Sequence, residues 1–404
     1  MTRNLKENES QLEVGDTKKT EVLHIIGSGT IGGAEHFVYQ LARYQKFESN
    51  EVEAMIHFVR NSGHFYELAL RDRLLLQLPQ SSSKLSQYYH LLRCMRDFDV
   101  LHFHGVYPLH FVLAAISRRR CLYYFHGARA LTKTVQTVLK NIVDKKSFRS
   151  LPTVKGISRL AKKLWFRFFL SKFVQAAHCP SQHYVGFCIQ NYGIPPHRIS
   201  RLPYGLDFSK LAPASSIQDV RKELGLADEL IVGCVSTFRK LKRIDRLLAG
   251  FHHYLKANQR TATRLLIVGD GEQRKEIERL IQQLQLSDQV VLTGFRTDIA
   301  DLLQIMNVFV LPSESESFSI AIAEAMFSGI PVVGFAGSGG AEELLRESPA
   351  GIVVESETEL GDRISELLSC EKTRKEIGRK LHEYASSRLT IAAFHRSMLH
   401  NYRK

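Results

Sequence analysis

Apolar runs about the length of a β-strand alternate with amphipathic helical patterns along almost the whole chain. This alternation is typical of α/β proteins, because parallel strands need a crossover connection, usually a helix, between them. In the first half of the sequence the predicted strands are Glu21–Ile26, Val52–Val59, Leu74–Leu78, Val100–His104, Leu122–His126 and Ala176–Cys179. The predicted helices between them are Ala34–Tyr44, Phe65–Arg71 and Leu85–Met95. The pattern predicts a doubly wound parallel sheet.

The second half of the sequence repeats this plan. Its predicted strands are Leu230–Ser236, Arg264–Val268, Val290–Thr293, Val308–Leu311, Pro331–Phe335 and Gly351–Val354. Its predicted helices lie near Ile244–Lys256, Arg274–Leu284 and Ile320–Phe327, and only helices follow between Glu357 and Arg403. Because 404 residues are too many for one ordinary domain, we predict two doubly wound, Rossmann-like domains.

The stretch from Pro203 to Pro213 is rich in turn-forming residues and is the predicted boundary between the domains. We expect residues 1–20, which are polar, to form a disordered tail, residues 21–208 to form the first domain and residues 209–385 the second. Residues 386–404 are expected to form a terminal helix that packs back on the first domain.

The composition is that of a globular chain, with 44% hydrophobic and 24% charged residues. The polar N-terminus lacks the apolar stretch of a signal peptide, and the sequence contains no apolar run long enough to cross a bilayer. Six scattered cysteines form no C-x-x-C pair, which favours reduced, buried thiols over a zinc site or a disulfide framework. These observations predict a cytoplasmic protein.

The positive charge of the chain is concentrated in one segment, Arg118–Lys172. It holds fifteen Lys and Arg and one acid, Asp144, so its formal charge equals the +14 of the whole protein. A charge that is localised in this way predicts a local anionic partner.

Aromatic residues interleave with these cations around Trp165. Lys162, Lys163, Arg167 and Lys172 are candidate contacts with an anionic membrane surface, into which the aromatic side chains would insert. One alternative is a core helix whose cations extend to solvent, and another is nucleic-acid binding, although no recognition motif accompanies the segment. The preferred prediction is peripheral association with the inner face of the plasma membrane.

The segment Gly27–Gly33 follows the first predicted strand, opens a helix and contains the pattern G-x-G-x-x-G. Glycines at such a position let backbone N–H groups approach a diphosphate. A dinucleotide site also needs an acid at the end of the second strand, but that strand ends at Val59-Arg60. An NAD site is therefore disfavoured, while an NADP-dependent oxidoreductase, another phosphate loop and a plain tight turn remain open.

The loop Leu311–Ser319 follows a predicted strand and leads into a helix that carries Glu324. Ligands of open α/β sheets bind at the carboxyl ends of the strands, and the helix start near Ser319 offers unpaired N–H groups to phosphate oxygens. Glu316 and Glu324 could contact two hydroxyl-bearing parts of one extended ligand. The alternative is that these carboxylates are simply solvated.

Three further loops of the second half also follow strands and therefore converge on the same crevice. They are Ser236–Asp245, Gly269–Glu272 and Gly294–Arg296. Arg239 and Lys242, in the first of these loops, can neutralise a diphosphate as charge builds on it.

From Ile25 to about Leu368 these motifs resemble the retaining GT-B glycosyltransferases of family 4. The resemblance is carried by Gly32-Gly33-Ala34-Glu35, His102-Phe103-His104-Gly105, Phe125-His126-Gly127, Gly294-Phe295, Pro312-Ser313 through Glu324-Ala325-Met326, and Gly329-Ile330-Pro331-Val332-Val333. It implies that the two domains face each other across a central cleft. The first domain would face the acceptor, and the second would bind a nucleotide sugar.

The family pattern implies roles for single residues. Glu316 would hold hydroxyls of the donor sugar, Glu324 the ribose and Lys242 the diphosphate, with the Gly33 backbone closing over that diphosphate and His126 near the sugar. Glu316, His126 and Lys242 are the candidate catalytic residues. The remaining candidate donor contacts are Thr237, Arg239, Arg296, Ser317, Phe318 and Ser319.

The chain departs from the family pattern at two places. Thr237 stands where relatives often have Arg, so Arg239 is a candidate replacement for that phosphate contact. The usual E-G-F-G sequence is Glu316-Ser317-Phe318-Ser319 here, so two positions that are normally glycine carry side chains.

The expected reaction moves a sugar from a nucleoside diphosphate sugar, UDP rather than GDP, to an acceptor hydroxyl with retention. The expected acceptor is a lipid-linked sugar or polysaccharide of bacterial cell-surface polysaccharide or lipopolysaccharide synthesis. The alternatives are the NADP-dependent oxidoreductase and a non-catalytic protein that binds membrane or nucleic acid through its basic segment.

No metal and no other cofactor is expected. His102 and His104 alternate on one strand and could form half of a metal site, but the sequence offers no third ligand nearby, so we predict one packed and one cleft histidine. Asp97-Phe98-Asp99 matches a metal–diphosphate motif, yet it precedes its strand and so lies at the wrong edge of the sheet.

Overall fold

A computed structural model gives the fold of the protein. It describes residues 18–30, 32–78, 83–105, 108–127, 168, 172–258 and 262–403. The described residues contain two six-stranded sheets, all of whose paired strands are parallel, with helices packed around them. The predicted fold class of two doubly wound α/β domains is confirmed.

The first sheet has the strand order β2-β1-β3-β4-β5-β6. Its strands are β1 (Thr20–Ser28), β2 (Val52–Arg60), β3 (Val100–Phe103), β4 (Arg120–Tyr124), β5 (Ala176–Cys179) and β6 (Ile199–Arg201). The helices of this half are α1 (Gly33–Phe47), α2 (His64–Arg71), α3 (Lys84–Met95), α4 (Pro108–Ser117) and α5 (Gln182–Tyr192).

The second sheet has the strand order β12-β11-β10-β7-β8-β9. Its strands are β7 (Leu230–Val235), β8 (Thr263–Val268), β9 (Val290–Gly294), β10 (Val308–Leu311), β11 (Val332–Phe335) and β12 (Ile352–Val354). The helices that follow the first domain are α6 (Ile217–Glu223), α7 (Ile244–Asn258), α8 (Arg274–Gln283), α9 (Ile299–Leu303), α10 (Ile320–Phe327), α11 (Gly340–Glu347), α12 (Glu357–Ser369), α13 (Glu371–Arg388) and α14 (Ile391–Arg403).

The central strands of both sheets are buried on both faces. Every residue of β3 and of β10 is buried. Helices cover each face of a parallel sheet, and for that reason these strands are nearly continuous apolar runs in the sequence.

Two predictions of secondary structure differ from the fold. The predicted strand Leu74–Leu78 is reduced to a single bridge between Leu75 and Ile56 of β2. The edge strand Ile199–Arg201 was missed, because its sequence Ile-Ser-Arg is short and has only one apolar residue. Edge strands bury less surface, so their hydrophobic pattern is weak.

The chain passes between the domains twice, and the two passages run side by side. The Leu206 N–H donates to the Leu389 carbonyl at 2.8 Å, and the Ile391 N–H donates to the Leu206 carbonyl at 2.9 Å. Gly205 is required at this crossing, since a Cβ atom there would lie 2.4 Å from the Thr390 carbonyl oxygen. The first passage lies inside the turn-rich stretch predicted as the domain boundary.

The second passage delivers α14 to the first domain. Phe394 packs edge-on against Phe37 of α1, with 4.8 Å between the ring centroids. Gln45 of α1 donates to the Tyr402 hydroxyl at 3.2 Å, and His395 lies 3.0 Å from the Ser49 hydroxyl. Although α14 follows the second sheet in sequence, it completes the hydrophobic core of the first domain.

Most of the basic segment, including Lys162, Lys163, Trp165 and Arg167, lies outside the described residues. Lys172 is described, and its ammonium group lies 5.4 Å from the centre of the Phe168 ring. Among the described helices, none has the length and apolar composition needed to cross a membrane.

The packing of α14 predicts a stability effect. Phe394 is only 3% exposed, so Phe394→Ala should leave a cavity and lower the free energy of unfolding by about 3–5 kcal/mol, measured by urea denaturation. Arg396→Ala, at an exposed position of the same helix, is the control and should change it by less than about 0.5 kcal/mol. Equal effects of both substitutions would contradict the packing of α14 on α1.

Candidate active site

The carboxyl ends of strands from both sheets face one cavity of about 640 Å³. First-domain residues that line it include Gly32, Gly33, Glu35, His126, Gly127, His183 and Tyr204. The second domain contributes Arg239, Leu241, Lys242, Leu311 and Ser315 through Ala321. The structure therefore brings together Gly33, His126, Arg239, Lys242, Glu316, Ser317, Phe318 and Ser319, as the sequence predicts.

Two helix N-termini approach each other in this cavity. α1 begins at Gly33 and α10 at Ile320, and a Cβ atom on Gly33 would lie 3.2 Å from the Ile320 side chain. The N-terminal N–H groups of a helix have no partner within the helix, and the helix dipole places partial positive charge there. The cavity thus has two positive ends suited to an anion.

The loop before α10 adopts a backbone conformation that favours glycine. Ser319 has φ 147°, and its hydroxyl accepts a hydrogen bond from the Ile322 N–H at 3.3 Å. This is one of the two positions at which the family pattern has glycine. The serine keeps the glycine-like backbone at a cost of about 1–3 kcal/mol and caps the helix with its side chain.

Lys242 and Glu316 form an ion pair inside the cavity. Lys242 ends a single 3-10 turn (Lys240–Lys242), and Glu316 lies in the loop before α10. Their side chains are 25% and 14% exposed. Each charge is therefore neutralised by the other, and an anionic ligand that contacted Lys242 would compete with Glu316.

Glu324 lies on α10, behind the residues that line the cavity. Burial raises the pKa of its carboxyl group to about 7. A carboxyl with this pKa changes charge near neutral pH, in contrast to an exposed glutamate.

Ser317 connects the two domains across the cleft. Its hydroxyl donates to the backbone carbonyl of His126 at 2.7 Å. The loop that contains it is held in turn by the second sheet, because the Glu316 N–H donates to the Ser338 carbonyl at 2.9 Å and the Gly340 N–H to the Glu316 carbonyl at 2.8 Å.

The imidazole of His126 points away from this contact. One ring nitrogen, Nε2, lies 2.9 Å from Nδ1 of His104, and Nδ1 lies 2.5 Å from the Tyr204 hydroxyl. Burial lowers the pKa of His126 to about 3. Both nitrogens are thus engaged within the first domain, and the group that His126 offers to the cleft is its carbonyl oxygen.

The prediction for the His102 and His104 pair needs correction. Both side chains are buried, so neither is a cleft histidine, and a third histidine, His24, lies beside them. The nearest ring nitrogens of the three lie within 4.8 Å of one another. The sequence did not indicate His24 as a neighbour because it lies on β1, which pairs with β3 from 78 residues away.

Besides Glu324, two candidate donor contacts lie outside the cavity lining. Thr237 is exposed in the loop after β7. Arg296 forms ion pairs with Glu223 and Asp298. These pairs hold the loop after β9 to the end of α6.

The D-x-D motif has a structural role. Asp99 accepts a hydrogen bond from the Glu21 N–H at 2.9 Å, at the amino ends of β3 and β1. That edge lies opposite the cleft, as the sequence predicts.

Sequence reasoning missed Tyr204 and the contacts that join the domains beside the cavity. The carboxylate of Glu343, on α11, accepts hydrogen bonds from the Gln182 and His183 N–H groups at the start of α5, at 2.7 and 2.9 Å. Arg201 pairs with both Glu343 and Glu347. No sequence signal marks such pairs, because each joins residues more than 140 positions apart.

Two family models match successive parts of the chain. The model described as Glycosyltransferase Family 4 matches residues 31–210, and the model described as Glycosyl transferases group 1 matches residues 216–383. Together they span most of the chain and divide it between the two sheets.

Curated relatives agree with these matches. The chain is 28% identical over 193 residues to N-acetyl-alpha-D-glucosaminyl L-malate synthase of Bacillus anthracis, covering 47% of this chain and 50% of the relative. It is 29% identical over 172 residues to UDP-Gal:alpha-D-GlcNAc-diphosphoundecaprenol alpha-1,3-galactosyltransferase of Escherichia coli, covering 42% and 44%. The chain thus aligns with about half the length of these relatives.

Solved structures share the fold over nearly the full length. Anabaena Alr3699/HepE in complex with UDP superposes with a TM-score of 0.74 at 20% identity, covering 95% of this chain and 99% of that one. At this identity the likeness shows the fold, two facing domains of the GT-B type. With both family models matched and the GT-B fold shared, the chain belongs to the GT-B glycosyltransferases of group 1, family 4.

Proposed function

We propose that this glycosyltransferase takes its sugar from a nucleoside diphosphate sugar, with UDP as the nucleotide, and transfers it with retention. The observation that carries the proposal is the cavity in which two helix N-termini meet the cations of Arg239 and Lys242. Such groups bind diphosphate oxygens. We propose UDP because it occurs in the names of the E. coli relative and the Anabaena complex. GDP is the alternative nucleotide, since a GDP-mannose-dependent alpha-mannosyltransferase of Mycobacterium tuberculosis is 29% identical over 285 residues. The NADP-dependent oxidoreductase has no support in the family matches.

In the proposed reaction the bond between the anomeric carbon and the diphosphate breaks while the acceptor oxygen bonds to that carbon from the same face. Lys242, Arg239 and the N-terminus of α10 stabilise the leaving diphosphate, whose phosphate oxygen receives the acceptor proton. Glu316 holds hydroxyls of the sugar and Glu324 the ribose. Because these groups supply positive charge to the diphosphate, we propose that no metal ion is needed.

We further propose that the acceptor is a lipid-linked sugar or a polysaccharide at the inner surface of the plasma membrane. The basic segment Arg118–Lys172 lies in the acceptor-side half of the chain. Next to it in sequence, Leu109, Val112 and Ile116 of α4 are 41–50% exposed and share one face of the helix, as their spacing of three and four requires. An exposed apolar stripe that leads into a run of cations suits an anionic lipid interface.

The ion pair between Lys242 and Glu316 gives the first test of the donor site. Lys242→Ala should weaken UDP binding roughly 10- to 150-fold in isothermal titration, because a hydrogen bond to a charged group contributes about 1.5–3 kcal/mol. Glu316→Gln should lower turnover strongly without weakening UDP binding, because it removes a proposed sugar contact and also the carboxylate that competes with the diphosphate for Lys242. Lys240→Ala, on the same turn, is the control. Unchanged affinity in Lys242→Ala for UDP, GDP and ADP alike would remove this cavity as the nucleotide site.

The pKa of Glu324 gives a test by pH. A ribose hydroxyl donates best to the ionised carboxylate, so nucleotide binding favours ionisation and UDP affinity should rise up to roughly tenfold between about pH 6 and about pH 8. Glu324→Gln should remove this component and leave only the pH dependence of UDP itself. The exposed Glu314→Gln should behave as wild type. The same pH dependence in wild type and Glu324→Gln would show that Glu324 does not contact the nucleotide.

Vesicle co-sedimentation tests the membrane surface. The protein should pellet with anionic vesicles and not with neutral ones, because each cation near an anionic bilayer contributes about 1 kcal/mol. Binding should weaken at 1 M salt, where the Debye length is about 3 Å. Replacing Lys162, Lys163, Arg167 and Lys172 with glutamine should reduce binding.

The matched control replaces the same number of cations in the second domain, Lys256, Lys275, Lys372 and Lys375, and should bind as wild type. If wild type stays in the supernatant with anionic vesicles at low salt, the membrane proposal is wrong and a soluble acidic acceptor becomes the better explanation of the segment.

A further inference from the structure

A chain of hydrogen-bonded side chains runs from the cleft through the core of the first domain to α14. Its links are Tyr204–His126 at 2.5 Å, His126–His104 and His104–His24 at 2.9 Å each, His24–Gln45 at 2.7 Å and Gln45–Tyr402 at 3.2 Å. All but the half-buried His126 are buried. The chain joins the cleft loop after β4 to a helix that follows the second domain in sequence.

The direction of the hydrogen bonds is determined at Gln45. Its amide nitrogen donates to the Tyr402 hydroxyl, so its carbonyl oxygen faces His24 and accepts from Nε2 of that ring. A neutral imidazole has one N–H, so Nδ1 of His24 must accept from Nε2 of His104. By the same rule Nδ1 of His104 accepts from Nε2 of His126, whose own Nδ1 accepts from the Tyr204 hydroxyl.

The histidines are neutral, as this argument requires. Burial lowers the pKa of His24 to about 4 and that of His126 to about 3, and it lowers the pKa of His104 well below its usual value. All three rings therefore carry a single proton near neutral pH, and each has one defined tautomer.

A metal ion is the other use that three clustered histidines suggest. An ion among His24, His102 and His104 would need a lone pair from each ring, yet Nδ1 of His24 and Nε2 of His104 already bond to each other. The described residues place no carboxylate in this group to offset a buried dication. His102 Nε2 has no hydrogen-bond partner, but one nitrogen does not make a site.

We propose that this series of hydrogen-bonded side chains positions His126. Gln45 of α1, held by Tyr402 of α14, fixes the tautomer and the orientation of the His126 ring. The inference rests on the proposed function, because it assigns a catalytic consequence to the cleft loop. With both ring nitrogens held inside the first domain, His126 is anchored by its side chain while its backbone carbonyl accepts a hydrogen bond from the Ser317 hydroxyl across the cleft. Gln45 and Tyr402 touch no substrate and act only through the rings between them and the cavity.

In the described part of this loop, Phe125 is buried and the His126 ring packs against Phe37 and Tyr204. The Phe125 N–H donates to the His178 carbonyl at 2.9 Å, and β4 ends at Tyr124. If the histidine hydrogen bonds were lost, the side-chain anchor of His126 would be released, and its backbone, with the carbonyl oxygen, could shift relative to the proposed position of the sugar. A displacement of about 1 Å at a reacting centre can lower turnover on the order of 100-fold.

The test compares two identical substitutions on α1. Gln45→Met removes the acceptor that orders the chain, whereas Gln40→Met alters a side chain that is also buried and hydrogen-bonded but contacts Asp207 and His36 instead. The assay measures release of UDP from a UDP-sugar. Its substrate is the one among UDP-glucose, UDP-galactose and UDP-N-acetylglucosamine that the wild-type protein cleaves fastest. With this substrate, Gln45→Met should lower kcat at least about tenfold. The Kd for UDP should change less than about twofold, and Gln40→Met should change neither by more than about twofold.

NMR of the imidazole nitrogens shows which nitrogen of each histidine carries the proton. A loss of packing alone would not change this tautomer. In wild type His24, His104 and His126 should each carry their proton on Nε2 and should not titrate between about pH 5 and pH 8. Gln45→Met should mix the two tautomers of His126, and Gln40→Met should not. If Gln45→Met does not fold, Tyr402→Phe removes a single hydroxyl at the same anchor and should show the same changes in smaller size.

A proton on Nδ1 of His126 in wild type would overturn the proposal, as would an unchanged kcat in Gln45→Met with mixed tautomers. Stoichiometric zinc or copper in the purified wild type that is lost in His102→Gln would also overturn it, because the metal would then occupy the nitrogens of the chain. If the proposed function were wrong, the result would be different. The wild-type protein would bind no UDP, while His24, His104 and His126 would still carry their protons on Nε2.

Discussion

The packing of α14 against α1 is the interaction on which the arrangement of the two sheets depends. The edge-on contact between Phe394 and Phe37 and the hydrogen bond from Gln45 to Tyr402 tie the end of the second half to the first sheet. Together with the paired passages at Leu206 and Leu389, this contact keeps the carboxyl edges of both sheets directed at one cavity. This is the cleft in which the proposed donor and acceptor would meet.

The cavity combines charges that a ligand must rearrange. Lys242 pairs with Glu316, and Ser317 donates to the carbonyl of His126 across the cleft. A diphosphate at the N-termini of α1 and α10 would draw Lys242 to itself and free Glu316 for sugar hydroxyls. In the proposed binding mode the two halves of the donor would therefore be coupled through one ion pair, because the nucleotide half would release the carboxylate that the sugar half needs.

Sequence reasoning predicted the parts of the molecule that repeat a local pattern. Buried parallel strands such as β3 and β10 are continuous apolar runs, and the loops that follow them must reach the cleft, so Lys242, Glu316 and Ser319 were found. It failed where a partner lies far away in sequence. The prediction of one packed and one cleft histidine was wrong, because His102 and His104 are both buried and the distant His24 bonds to His104 in the core. The ion pair between Arg296 and Glu223 was not foreseen either, and the role of Arg296 as a donor contact stays a prediction.

Because α14 is synthesised last, the first domain stays incomplete during most of translation. The first sheet is complete in sequence at Arg201, but the core beside α1 lacks Phe394 and Tyr402 until some 200 further residues have been made. At roughly 5–20 residues per second, that interval lasts about 10–40 s. During it the apolar face of α1 and the neutral histidines beneath it are open to water or to a chaperone. A nascent first domain should therefore be more vulnerable to proteases and to aggregation than the finished fold.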